Sequence, residues 1–165
     1  ATWSEIDFHR QEWRIPAQRM KMRDGHIVPL SRQAIQLLRE LHAQTGGQTF
    51  LFPNHRTPAT SMTATTLNRA LERMGFAGTD TIGFSAHGFR ATASTLLNEM
   101  GFRPDVIERQ LAHRDRNKVR ASYNQAEYLA DRRAMMQQWA DLIKTINDKN
   151  DCVIPIGTQQ RLGAP

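Results

Sequence analysis

The chain has 165 residues, of which 39% are hydrophobic and 23% charged, and this composition excludes a disordered polypeptide and fits one globular domain. No apolar run approaches the ~20 residues of a membrane-spanning helix, and a single cysteine, Cys152, excludes an internal disulfide. The net charge of +6 and the pI near 10.2 suit a nucleic-acid-binding protein. They suit a basic soluble domain without such a partner equally well.

Three short strands are predicted in the first thirty residues. The apolar side chains of residues 3–8 lie among charged ones, residues 12–16 alternate polar with apolar, and residues 26–30 form a third short apolar run. Asp24-Gly25 is typical of a hairpin turn. We therefore expect a small antiparallel sheet whose second hairpin carries Lys21.

Helical spacing of apolar residues dominates after this sheet. Ser31 is a good N-cap for a first helix that Gly46-Gly47 ends. Residues 49–52 predict a short strand or extended piece. Further helices are predicted over residues 63–74, 86–100, 104–111, 117–125 and 128–146, with Pro104 in a first turn.

Two of these helices carry apolar stripes that we interpret as core faces. The stripes consist of Leu67, Leu71 and Met74 in one helix and of Met136, Trp139, Ile143 and Ile146 in the last. The predicted fold is mainly α with a small antiparallel β-sheet near the N-terminus, an α+β domain over residues 1–146. Residues 147–165 are polar and predict a tail that either adds one short strand or is disordered.

His87-Gly88-Phe89-Arg90 is the first candidate for chemistry. Residues three apart share a helix face, so His87 and Arg90 should project together from a helix N-terminus, where anions are favoured. Arginine matches two phosphate oxygens, and an imidazole exchanges protons near neutral pH. By itself, the tetrapeptide is equally typical of a capping histidine and a solvated arginine.

His113 and Tyr123 are further candidates, each with an ordinary structural alternative. His113 follows Leu111-Ala112 where a helix should end, a position that the helix dipole favours for any histidine. Lys118 and Arg120 surround Tyr123 with positive charge, which lowers the pKa of a phenol and favours its nucleophilic form. A tyrosine that anchors a short helix to the core would have the same sequence.

The predicted second hairpin is basic. Alternation along a strand would place Arg19, Lys21 and Arg23 on one face, which suits contact with DNA phosphates but also a solvated surface. Metal sites are poorly supported, because none of the six histidines forms a His-x-x-x-His pair and Cys152 has no partner cysteine.

The order and spacing of these residues resemble the active site of the tyrosine recombinase (phage integrase) family. A hairpin lysine precedes His-x-x-Arg, then Leu-Ala-His, then a tyrosine ten residues after that histidine. The wording of residues 3–7, 26–31, 86–90 and 117–120 resembles the integrases of prophages and genomic islands. The resemblance covers residues 1 to about 146.

This resemblance implies roles for individual residues. Tyr123 matches the nucleophile, Arg90 the second catalytic arginine, His87 and His113 the two histidines, and Lys21 the hairpin lysine. Arg19, Arg23, Lys118 and Arg120 are expected to contact DNA. The family's first catalytic arginine precedes the strand that begins near Thr2, so we expect this chain to lack it, together with the helices and domains that would lie upstream.

The implied reaction is site-specific recombination through a 3′-phosphotyrosyl intermediate, in the bacterial cytoplasm, without metal or cofactor. The implied partners are duplex DNA and three further protomers, with no membrane. Alternatives are a non-catalytic DNA-binding module, a relative of type IB topoisomerases and, less favoured for want of ligand spacing, a zinc-dependent nuclease.

Overall fold

A computed structural model describes residues 1–20, 23–76, 83–112 and 128–150. The sheet comprises strands β1 (Ile6–Asp7), β2 (Glu12–Ile15) and β3 (His26–Pro29), antiparallel in the order β1-β2-β3. Trp13 pairs with Ile6 on one side and with Val28 on the other. The predicted small antiparallel sheet is confirmed.

Five helices follow within the described residues: α1 (Arg32–Thr45), α2 (Ala64–Arg73), α3 (Gly88–Glu99), α4 (Pro104–Gln110) and α5 (Leu129–Asn150). The Ser31 side chain caps α1 by accepting from the Ala34 amide at 3.2 Å, and Pro104 stands in the first turn of α4. These helices and their end signals confirm the predicted class. Phe50, in the predicted extended piece, makes an isolated bridge to Thr2.

The last helix ends later than predicted. Helix α5 continues to Asn150, so the first residues assigned to the tail are helical. The helix predicted over residues 117–125 and the strand considered within residues 151–165 lie outside the described residues.

The connection between β2 and β3 differs from the predicted hairpin. Pro16 follows β2 directly, and a 3-10 helix then spans Ala17–Arg19. Proline has no backbone N–H to donate to a strand ladder, which favours an end of β2 there. Arg23 has a φ of 56°, which is not strand backbone. The prediction that Arg19 and Arg23 share a strand face is therefore wrong.

The main core lies where α3, α4 and α5 meet. Leu97, Val106, Ile107 and Met135 are buried there, with Trp139 packed against them. None of the described helices is long and apolar enough to cross a bilayer.

Both predicted stripes are only partly buried. Leu71 is buried, but Leu67 and Met74 are 50% and 61% exposed, and Ile143 and Ile146 are also exposed. The expectation that these four residues face a core is wrong. A helical stripe is buried only along the turns that a neighbouring element covers, and periodicity does not record how far that cover extends.

Two buried carboxylates bond to side chains in and around the sheet, and one of them also bonds to α5. Glu12 on β2 accepts from Arg14 at 2.7 Å and from Arg133 on α5 at 2.9 Å. Glu5 accepts from the indole of Trp13 at 2.9 Å and pairs with Arg19. Burial alone would raise the pKa of Glu5, but the hydrogen bonds from Arg19 and Trp13 outweigh it, and the pKa is lowered.

Candidate functional site

His87 and Arg90 lie at the N-terminal end of α3, as predicted. His87 is the N-cap residue and its carbonyl accepts from the Arg90 amide at 3.1 Å. Its exposed ring makes no capping hydrogen bond, so the alternative of a capping histidine is not what the structure shows. The amide of Ala86 donates to the Asn68 side chain at 3.0 Å, and this bond attaches the start of α3 to α2.

The half-buried Arg90 reaches the end of α4. Its Nη2 donates to the carbonyl of Leu111, 21 residues further along the chain. Leu111 is the C-cap of α4, and Ala112 after it has a φ of 52°. The His87-x-x-Arg90 motif and the Leu111-Ala112-His113 motif therefore meet in space. His113 itself lies outside the described residues, so its own position beside Arg90 stays a prediction.

A buried arginine holds this end of α4 against the sheet. Arg132 on α5 donates from Nε to the side-chain oxygen of Gln110 at 2.9 Å and from Nη2 to the carbonyl of Ile27. His26 Nε2 lies 3.2 Å from the Gln110 carbonyl oxygen. Because a carbonyl only accepts, this contact places a proton on Nε2. The last turn of α4 is thus attached to both β3 and α5.

Tyr128 anchors the start of α5 to the other end of α4. It packs against the core cluster, with the Arg103 guanidinium 5.1 Å from the centre of its ring. Burial would raise the pKa of Asp105, but hydrogen bonds from Arg103 and Tyr128 outweigh it, and the pKa is lowered. The expectation that the Tyr128 ring packs is confirmed.

The remaining candidates divide into two groups. Lys21, His113, Lys118, Arg120 and Tyr123 lie outside the described residues. Of the described pair, Arg23 is exposed, while Arg19 pairs with the buried carboxylate of Glu5 and keeps its side chain 41% exposed. Within the described ranges, no group of three or more His, Cys, Asp or Glu side chains is placed to hold a metal ion.

The sequence interpretation missed Arg132, Gln110 and His26. One signal was present for the first of them. Arg132 stands four residues before Met136, so a charged residue continues the apolar stripe of the last helix. A cation at a core position is rarely buried unless it is paired. That irregularity pointed to a buried polar contact, although not to its partners.

Known proteins with similar sequences are phage and prophage integrases. Residues 1–129 match the model of the phage integrase family. The chain is 51% identical over 144 residues to the prophage integrase IntA of Escherichia coli (strain K12), which covers 87% of this chain and 34% of that protein. It is 43% identical over 164 residues to the integrase of Enterobacteria phage P4, covering 90% of this chain and 37% of that protein.

The prophage integrase IntZ of Escherichia coli (strain K12) is 44% identical over 145 residues, covering 87% of this chain and 35% of that protein. This chain thus spans about a third of the length of these curated relatives. No solved structure matches it.

Proposed function

Since the chain belongs to the phage integrase family, we propose that it supplies the nucleophile and most of the catalytic side chains of a site-specific DNA recombinase. The observation that carries the proposal is the hydrogen bond from Arg90 to the Leu111 carbonyl. It joins two motifs far apart in sequence, as a site that holds a single phosphate requires.

In the proposed reaction, the Tyr123 hydroxyl attacks a backbone phosphorus. A 3′-phosphotyrosyl bond forms, the bond to the 5′-oxygen breaks, and a proton on that oxygen completes a free 5′-hydroxyl. Attack by another strand's 5′-hydroxyl reverses the step, and the phosphotyrosyl bond conserves the energy of the broken one.

The other side chains stabilise charge or move protons. Arg90 and His113 donate to the non-bridging oxygens, where negative charge develops. Five N–H donors allow one guanidinium to serve a carbonyl and a phosphate together. Lys21 protonates the departing oxygen, and His87, exposed at the start of α3, assists proton transfer.

The proposed partners are duplex DNA, contacted by Arg19, Arg23, Lys118 and Arg120, and a tetramer of the full-length protein on two duplexes. The proposed setting is the bacterial cytoplasm. Both described cations are exposed, but Arg19 also pairs with Glu5. We expect Arg23 to contribute more to DNA affinity, because Arg19 already holds a carboxylate.

The test compares the only two tyrosines, Tyr123 and Tyr128. In the full-length protein, Tyr123→Phe should abolish the covalent conjugate with a nicked suicide DNA substrate, seen on a denaturing gel. Its DNA affinity should change little, since phosphate contacts dominate such interfaces. Tyr128→Phe should keep the conjugate, because the Tyr128 ring packs on the core beside α4.

If Tyr123→Phe kept the conjugate and Tyr128→Phe lost it, Tyr128 would be the nucleophile. A conjugate in both variants would contradict the tyrosine mechanism. Strand exchange between two duplexes separates a recombinase from a type IB topoisomerase relative, which only relaxes supercoils. Conjugate formation should persist in a chelator, whereas a zinc nuclease would lose its activity.

A further inference from the structure

Arg132 is completely buried in the middle of the fold. It lies one helical turn before Met135 on α5, and Met135 belongs to the apolar core. A buried guanidinium is costly unless every contact is well made, and apolar residues of similar size often replace such groups without loss of stability. A methionine would satisfy packing here. The arginine supplies contacts that methionine lacks.

Those contacts join the end of α4 to strand β3. Arg132 donates to the Gln110 side chain and to the Ile27 carbonyl. Nε2 of His26 lies 3.2 Å from the Gln110 carbonyl. The side chain and the backbone of Gln110 are thus both held, one by α5 and the other by β3.

Gln110 immediately precedes Leu111, the residue that Arg90 contacts. The Leu111 carbonyl accepts from Arg90. Holding Gln110 therefore sets where that carbonyl points, and the carbonyl sets the plane of the Arg90 guanidinium. We propose that Arg132 is a positioning residue for DNA cleavage, acting through Gln110 and the Leu111 carbonyl to orient Arg90. This inference rests on the proposed function.

Orientation matters because Arg90 would stabilise a transition state whose charge develops at fixed oxygens. A displacement of about 1 Å at such a group lowers rates on the order of a hundredfold. Binding of the undistorted phosphate is far less sensitive, since it depends mainly on charge. Loss of Arg132 should therefore slow cleavage and leave DNA affinity nearly unchanged.

Arg133 provides a matched control on the same helix. It also bonds a buried side chain and a backbone carbonyl, Glu12 at 2.9 Å and Arg10 at 3.0 Å, but these lie on the sheet side and make no link to α4. Arg132→Met and Arg133→Met each remove a guanidinium from α5. Only the first removes the bond to the Gln110 side chain.

The experiment measures the single-turnover rate of conjugate formation at saturating full-length protein, together with DNA affinity and melting temperature. Arg132→Met should slow the rate about tenfold or more, with DNA affinity within about twofold, while Arg133→Met stays within about twofold of the parent in rate. Gln110 is part-exposed and tests the same link without emptying the core. Gln110→Met should slow conjugate formation relative to the parent protein. Gln110→Glu should keep the parent rate, because its carboxylate still accepts from Arg132.

A second background separates positioning from a general structural effect. In an Arg90→Lys protein there is no planar fork to orient, so adding Arg132→Met should slow the rate by less than about twofold. Equal slowing in both backgrounds, or equal effects of Arg132→Met and Arg133→Met, would overturn the inference. A Tyr123-dependent conjugate in these same assays would leave the proposed function intact, whereas a conjugate independent of Tyr123 would overturn the function itself.

Discussion

Arg90, the proposed phosphate ligand, is half-buried, and its guanidinium donates to a backbone carbonyl. Replacing it with alanine should reduce the single-turnover rate of conjugate formation about 100- to 1000-fold, or about 3–4 kcal/mol, as for the loss of one donor to a developing oxyanion. DNA affinity, measured by mobility shift, should change only a few-fold.

Arg10→Ala is the control for that substitution. The Arg10 side chain is 61% exposed and lies 3.9 Å from Asp7, remote in sequence from both motifs. Arg10→Ala removes one positive charge, as Arg90→Ala does. The two variants should therefore show the same loss of DNA affinity if that loss is purely electrostatic. Similar rates for Arg90→Ala and the parent protein would exclude Arg90 from the chemistry.

At the scale of elements, Asp105 is one of the groups that join α4 to α5. Asp105 has a lowered pKa because hydrogen bonds from Arg103 and Tyr128 outweigh its burial. A carboxyl whose pKa is lower in the folded state contributes stability above its unfolded pKa of about 4, and this contribution is lost as the pH falls through the folded value.

Tyr128→Phe should therefore lower the free energy of unfolding by about 1 kcal/mol at pH 7, the ordinary net worth of such a hydrogen bond. The difference from the parent should shrink as the pH falls through the folded pKa of Asp105. Chemical denaturation at a series of pH values measures it. In an Asp105→Asn background, the effect of Tyr128→Phe should no longer vary across the acid range; a persisting variation would place the titrating group elsewhere.

At the scale of the whole molecule, the net charge sets the DNA affinity that the proposed function predicts. With a net charge of +6, the chain should bind duplexes with little sequence preference and strong salt dependence. If about two to four phosphates are neutralised, affinity should fall on the order of ten- to a hundredfold between roughly 50 and 200 mM salt. Titration of two unrelated duplexes at both salt concentrations checks this. An affinity that did not change with salt would contradict the interpretation that phosphate contacts dominate binding.

Local rules sufficed for much of this chain. The Ser31 cap, Pro104 in a first turn and the alternation around Trp13 predicted helices and strands that the structure contains. The residue types of His87 and Arg90 and their spacing also predicted their shared place at the start of α3. Capping, proline geometry and alternation act within a few residues, so the sequence alone determines them.

Only the tertiary structure decided which distant groups meet. Arg19 left the predicted strand face to pair with Glu5, Leu67 remained exposed, and Arg132 is buried against Gln110. Arg90 reached Leu111 because α3 packs on α4. Each of these outcomes joins residues more than ten apart or depends on how far a neighbouring element covers a helix. Periodicity predicts neither the pairing of distant residues nor the extent of burial, because it describes one element at a time. Burial and pairing depend on how several elements pack together.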